Sequence, residues 1–215
     1  MKNFVLVIGN KNYSSWSLRP WILMKYFKIP FEEIVIPLFQ PGSKEKILKY
    51  SPAGKVPVLK HGDTLIWDSL AIAEYLAETF PKKLMWPKDV ESRARARSVS
   101  AEMHSGFQAL RSTCPMNVKA RKSVTNPSPE LTRDIERIKA IWTQCRQQSK
   151  TRGDFLFGPF TIADAMFVPV VFRFQTHGIP VDGVVQQYVK TILALPAVQE
   201  WTKAALQETW VIDHH

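Results

Sequence analysis

A chain of 215 residues with 45% apolar and 22% charged side chains can bury a real core, in one large globular unit or two smaller ones. It holds no run near the roughly 18 apolar residues of a membrane span, no secretory cleavage site after MKNFVLVIGNKN, and only two distant cysteines, Cys114 and Cys145, which suit a reduced cytoplasmic protein without a metal motif. The net charge of +10 fits a solvated face or an attraction for anionic small molecules; Arg93, Arg95 and Arg97 spread around a helix without interleaved aromatics, which argues against nucleic acid.

Phe4–Ile8 is a short apolar run and reads as a buried strand. The stretch NKNYSSWSLRPW, Asn10 to Trp21, follows it as a turn, and Ser17–Phe27 reads as a helix. Phe31–Ile36 is a second strand and Ser43–Tyr50 a polar helix. The segment SPAGKVPVLKHGDTLIWDS carries two apolar runs, Val56–Leu59 and Thr64–Trp67, around the hairpin turn HGD. Asp68–Phe80 closes the segment with helical periodicity. The order βαβ-α-ββα requires a crossover helix between the first two strands and makes the last pair antiparallel. After the connector PKKLMWP every pattern is helical: Glu91–Leu110, Pro129–Lys150, Thr161–Phe174, Val184–Ala194 and Pro196–Glu208. The expected organisation is an α/β domain over residues 1–80, a linker over 81–87 and an all-α domain over 88–215, without internal repeats.

Three short stretches carry chemistry. The serines of YSSWSLRP precede a helix N-terminus, where a hydroxyl either caps the helix or donates to an anion such as a thiolate. In GKVPVL, Pro57 inside a strand lacks a ladder donor, and a cis Val56–Pro57 bond turns the Val56 amide and carbonyl outward to pair with an extended peptide. In WDSLAIAEYL, Asp68 and Ser69 stand at another helix start: the carboxylate suits an ammonium, and the Ser69 hydroxyl and N–H suit a carboxylate. The three together suit a small zwitterionic peptide bearing a thiol.

In this order and spacing, YSSWSLRPW, SPAGKVPVL and DSLAIAEYL resemble the N-terminal, thioredoxin-like domain of a cytosolic glutathione transferase. GPFTIADAMF is similar to the capping-box segment of that family's helical domain, with Thr161 as cap and Asp164 three residues on. The serine run is closest to the zeta class, the maleylacetoacetate isomerase-like members, with Trp16 in place of that class's cysteine. The resemblance implies a serine-type enzyme that activates glutathione as thiolate for attack on small electrophiles. A zeta-like glutathione-dependent isomerase is the narrower alternative, and a non-catalytic interaction module with the same fold is another.

What the resemblance implies for single residues follows the same logic. Ser14, with Ser15 as runner-up, donates to the glutathione sulfur, while Ser17 is the expected helix cap. Val56 and Pro57 hold the cysteinyl unit, Asp68 and Ser69 the γ-glutamyl end, and Lys55 with Gln40 the glycine carboxylate, although solvent exposure explains Lys55 equally. Trp16, His104, Arg111, Met116, Asn117 and Arg121 are expected around the electrophile. A satisfied structural role competes for His104, and a buried ion pair competes for Arg19. Cys114 is expected as a small buried residue. The family also implies a cytoplasmic homodimer working without a metal.

Overall fold

The computed structural model describes residues 3–212. Four strands, β1 (Phe4–Ile8), β2 (Phe31–Val35), β3 (Val58–His61) and β4 (Thr64–Trp67), form one sheet in the order β2-β1-β3-β4. β1 and β2 run parallel with Phe4 opposite Phe31. β1 pairs antiparallel with β3, Leu6 opposite Leu59, and β3 pairs antiparallel with β4. Helices α1 (Ser15–Tyr26), α2 (Ser43–Leu48) and α3 (Ser69–Thr79) accompany the sheet, and a 3₁₀ turn, Pro81–Lys83, leads away. Six helices follow: α4 (Val90–Ser105), α5 (Gln108–Thr113), α6 (Pro129–Gln147), α7 (Ile162–Thr176), α8 (Gly183–Ala194) and α9 (Pro196–Gln207). The expected mixed sheet followed by a helical domain is the architecture observed.

The period-2 alternation of β1 sorts its side chains. Leu6 and Ile8 face α1 and the main core, whereas Val7 joins Ile36, Ile47 and Val58 in a separate cluster beneath α2. α7 is mostly apolar and almost wholly buried, as a helix at the centre of a bundle must be. It packs on α1 and α4. Leu18 and Ile22 from α1 therefore share one continuous core with Phe167 and Val171 from α7. Each such side chain contributes about 1.5–3 kcal/mol on burial. Across the same seam Tyr26 stacks on Phe160 with ring centres 4.1 Å apart, and Trp21 meets Trp201 edge-on at 5.1 Å.

Two of the differences from the expected boundaries have a clear local cause. Strand β3 begins at Val58, because the Val56–Pro57 bond is cis and residues 56 and 57 form the turn before it. The helix expected over Glu91–Leu110 is two helices. Gly106 ends α4 and Phe107 adopts a left-handed backbone, φ 62°, before α5 starts. Arg111 then folds back to donate to the carbonyls of Gly106 (2.8 Å) and Met103, covering acceptors that the end of α4 leaves free. Asp164 accepts from the Thr161 amide at 2.8 Å, so the acidic half of the expected capping box is present.

Candidate active site

After β1 the chain turns through Gly9–Tyr13 into α1. Ser14, not Ser17, caps that helix: Ser14 Oγ accepts the Ser17 amide at 3.4 Å and donates to Ser17 Oγ at 2.7 Å. The helix starts two residues earlier than its apolar pattern suggests, which buries Ser17 inside the first turn. There Ser17 Oγ accepts the Gly9 amide at 3.0 Å and anchors the end of β1. Ser15 Oγ accepts from Arg173 Nη2 at 3.2 Å. Ser14 and Ser15 are both nearly buried, each 6% exposed.

A cleft of about 1020 Å³ opens beside this turn. Its walls include Trp16, Gln40, Lys55, the Val56–Pro57 turn, Asp68 and Ser69. Asp68 holds a backbone conformation that residues with a Cβ seldom adopt, φ 76°. Such strain costs on the order of 1–3 kcal/mol and collects at functional positions. One carboxylate oxygen offsets it by capping α3, accepting from Leu70 N at 2.8 Å and Ala71 N at 3.3 Å. The other lies 3.1 Å from His104 Nε2. The Ser69 hydroxyl, buried at the first position of α3, accepts from Arg19 Nη1 at 3.4 Å.

Cations stand behind the cleft wall at Trp16 and Ser69. Arg19 is buried and makes no ion pair among the described residues, against the competing expectation of one; its Nε has no partner. The Arg19 and Arg111 guanidinium carbons lie 4.3 Å and 4.8 Å from the centre of the Trp16 ring, within cation–π reach. Burial holds Arg19 well below the usual guanidinium value, and repulsion from Arg111 and Arg173 adds to this. Burial also lowers the His104 imidazole, opposed by Asp68 and reinforced by Arg19 and Arg111.

Two family models match in chain order, "Glutathione S-transferase, N-terminal domain" over residues 13–79 and "Glutathione S-transferase, C-terminal domain" over residues 128–204. The chain belongs to the glutathione transferase family. Its relatives include a probable maleylacetoacetate isomerase 2 of Drosophila melanogaster, 31% identical over 74% of this chain and 70% of that protein. A probable maleylacetoacetate isomerase of Caenorhabditis elegans is 29% identical over 85% of each chain. Among solved structures, a glutathione transferase homologue from Burkholderia with bound glutathione is 26% identical. It superposes with a TM-score of 0.74 over 96% of this chain and all of that one.

In this transferase the residues expected to hold glutathione, Gln40, Lys55, Val56, Pro57, Asp68 and Ser69, share one cleft. Leu38, Phe39, Lys44 and Ile47 line it as well; their only signal in the sequence was their place in and beside α2. The residues expected around the electrophile divide. Trp16 lines the cleft, His104 meets its ring edge-on at 5.3 Å, and Arg111 covers its face. Met116, Asn117 and Arg121 do not line it: Met116 is in the core, the Asn117 side chain accepts from Ala120 N at 3.1 Å, and Arg121 donates to the Val118 and Ala120 carbonyls. Cys114 is fully buried, and burial pushes its thiol up, so it is no nucleophile at neutral pH. Arg173, which no local pattern marked, reaches Ser15 from α7.

Proposed function

We propose that this transferase binds glutathione in the cleft between Trp16 and Ser69 and ionises its thiol for attack on a small electrophile. The observation that carries this reading is the single cleft shared by Trp16, Gln40, Lys55, Val56, Pro57, Asp68 and Ser69. Its volume reaches the upper end of the usual range for small-molecule sites, leaving room for a second reactant beside the peptide. Asp68 takes the γ-glutamyl ammonium and Ser69 the adjoining carboxylate. The Val56 backbone pairs with the cysteinyl unit, and Lys55 with Gln40 takes the glycine carboxylate. A hydroxyl of the Ser14–Ser15 pair donates to the sulfur. A charge-assisted bond of this kind favours the thiolate, and a fall of about two units from a free-thiol pKa near 8.5 leaves most of the thiol ionised at pH 7. Residues 1–80 supply the peptide site, 81–87 connect, and 88–215 wall the electrophile side. A docking module has no need of so complete a set.

A second observation narrows the electrophile. Arg19 and Arg111 pack on the Trp16 ring and Arg173 bonds Ser15, with Asp68 and Asp134 as the acidic groups beside them, so this end of the cleft favours a carboxylate-bearing molecule. The isomerase names of the relatives support that class. Retention on immobilised glutathione, followed by turnover of neutral and carboxylate-bearing electrophiles at saturating glutathione, tests both steps. Preference for neutral substrates removes the second step and leaves the first.

The chain works as a cytoplasmic homodimer. β4 is an edge strand with Leu65 exposed, which suits a second copy. Sedimentation showing only a monomer at micromolar concentration would remove that part.

A further inference from the structure

We propose that the cleft continues past the glycine end of glutathione into a second subsite, built by Phe39 and Lys44, which takes a thiol peptide extended beyond that glycine by acidic residues. The inference rests on the glutathione site proposed above and names a class of thiol that this site accepts.

The first observation is how Phe39 is presented. It lines the cleft, is 76% exposed and has a left-handed backbone, φ 58°. An aromatic ring kept in water gains nothing from burial, and a residue with a Cβ is strained in that conformation. The loop is nevertheless fastened on both sides of it. Leu38 N donates to Asn10 Oδ1 at 2.7 Å. Gln40 N donates to Ser43 Oγ at 2.9 Å, and that hydroxyl donates to the Pro37 carbonyl at 2.5 Å. The Leu38 side chain seats so closely on Gly9 that a Cβ there would fall 2.6 Å from Leu38 Cδ1. Neighbours held in this way fix Phe39 at the rim of the cleft.

The second observation is a surplus of cations at the same rim. Lys44 and Ile47, three positions apart on α2, both line the cleft. Ile47 is buried with Val7 and Val58, so Lys44 stands on a helix seated against the sheet. Lys46 and Lys49 are exposed nearby, and Lys55 lines the cleft from the turn before Pro57. Among the described residues the lysine ion pairs are made by Lys11, Lys25, Lys139 and Lys150, and none by these four. Glu45 is the single acidic residue between positions 37 and 55.

Glutathione ends in one glycine carboxylate, which Lys55 with Gln40 meets in the reading above. Lys44 then has no counter-charge, and further carboxylates past the glycine supply it. Phe39, next to Gln40 in the chain, offers the added residues an apolar surface for their stems. A basic extension would meet repulsion from the same lysines.

The test is calorimetric titration with glutathione and with three synthetic probes, each glutathione lengthened past its glycine by two glutamates, two alanines or two lysines. The acidic probe should bind wild type about two- to fivefold tighter than the neutral one, the range of an exposed ion pair. The basic probe should bind more weakly than either, and the differences should shrink with added salt. Lys44→Gln should bring the acidic probe close to the neutral one. Phe39→Ala should weaken the acidic and neutral probes relative to glutathione. Equal binding of acidic and basic probes overturns the proposal, as does an acidic preference that survives in Lys44→Gln. Weaker binding of every probe than of glutathione means that the cleft closes at the glycine, and overturns it too. Failure of the wild type to bind glutathione itself removes the underlying site instead, and is seen before any probe is compared.

Discussion

Asp68 and His104 share one charge across the cleft: the Asp68 carboxylate stands 3.1 Å from His104 Nε2 while its other oxygen caps α3. The imidazole is held below its usual value, by burial first, so it is neutral at pH 7 and donates to Asp68 as a neutral ring. On protonation it becomes a full cation against the carboxylate proposed to hold the glutathione ammonium.

Glutathione affinity should therefore fall as pH drops from 7 towards 5. The α-carboxyl group titrates well below that window; the bound thiol, lowered by about two units, titrates within it, so the imidazole's share is the part of the slope that disappears when His104 is replaced. His104→Gln keeps a donor beside Asp68 but removes the ring's titration, and its affinity should fall less steeply than the wild type's. Calorimetric titration with glutathione at several pH values checks this. An equal slope in the variant sinks the idea.

Asp68→Ala removes both the proposed ammonium partner and the observed helix cap. It should weaken glutathione binding by roughly ten- to a hundredfold, the range of a lost hydrogen bond to a charged group, about 1.5–3 kcal/mol. Stability should fall by about 1 kcal/mol for the cap, less whatever strain the positive φ releases. Binding isotherms and denaturant midpoints separate the two losses.

Ser17→Ala should cost more stability than Ser14→Ala, although Ser14 and not Ser17 caps α1. Ser17 is fully buried and accepts both the Gly9 amide and the Ser14 hydroxyl. Its loss strands two donors, at about 1–3 kcal/mol each. Ser14→Ala removes one cap contact, about 1 kcal/mol. Urea midpoints decide it, and a more damaging Ser14→Ala would mean that Ser17 anchors nothing.

What the sequence made readable was local. The cis proline, the hairpin and the α3 start each lie within a few residues of the feature that marks them, so pattern and turn chemistry sufficed. The serine roles were half readable, because capping depends on where α1 begins. The pattern of Leu18, Trp21 and Ile22 tolerates a start at 15 or at 17. Partners distant in the chain were not readable at all. Arg173 and Ser15 are 158 positions apart, and Glu208 and Lys11 are 197 apart. Nothing near either residue signals the other; only the packing of α7 on α1, and of α9 beside it, brings them together.

Glu208 supports the loop before Ser14 from the far end of the chain. Its carboxylate accepts Lys11 N at 2.6 Å and Asn12 N at 2.9 Å. Glu208→Ala should leave both amides without their acceptor and cut turnover with little change in fold. Faster amide exchange confined to residues 10–14 would confirm it. Unchanged exchange there would mean that the loop holds itself.

Asp164 should make stability depend on pH. Complete burial pushes its carboxyl up to about 6, opposed by donors from Leu156 N, Thr161 N, the Thr161 hydroxyl and the Tyr188 hydroxyl. The folded state thus holds this proton more firmly than the unfolded chain does. The contribution is complete below about pH 4 and is lost as pH rises through 6, a change of roughly 3 kcal/mol. The stability gap between wild type and Asp164→Asn should narrow by that amount from pH 4 to pH 7. A constant gap in chemical denaturation at both pH values refutes the assignment.

The packing of Tyr26 on Phe160 and of Trp21 against Trp201 has a thermodynamic meaning. The chain path has a joint at PKKLMWP, but the buried surface has none there, because α1 spends its apolar face on helices from both sides of that joint. Heating should give one calorimetric transition whose van't Hoff and calorimetric enthalpies agree. A fragment severed at the joint would present aromatic rings to water, and its serine loop would have lost Arg173, Glu208 and the Val118 amide that now hold it in place.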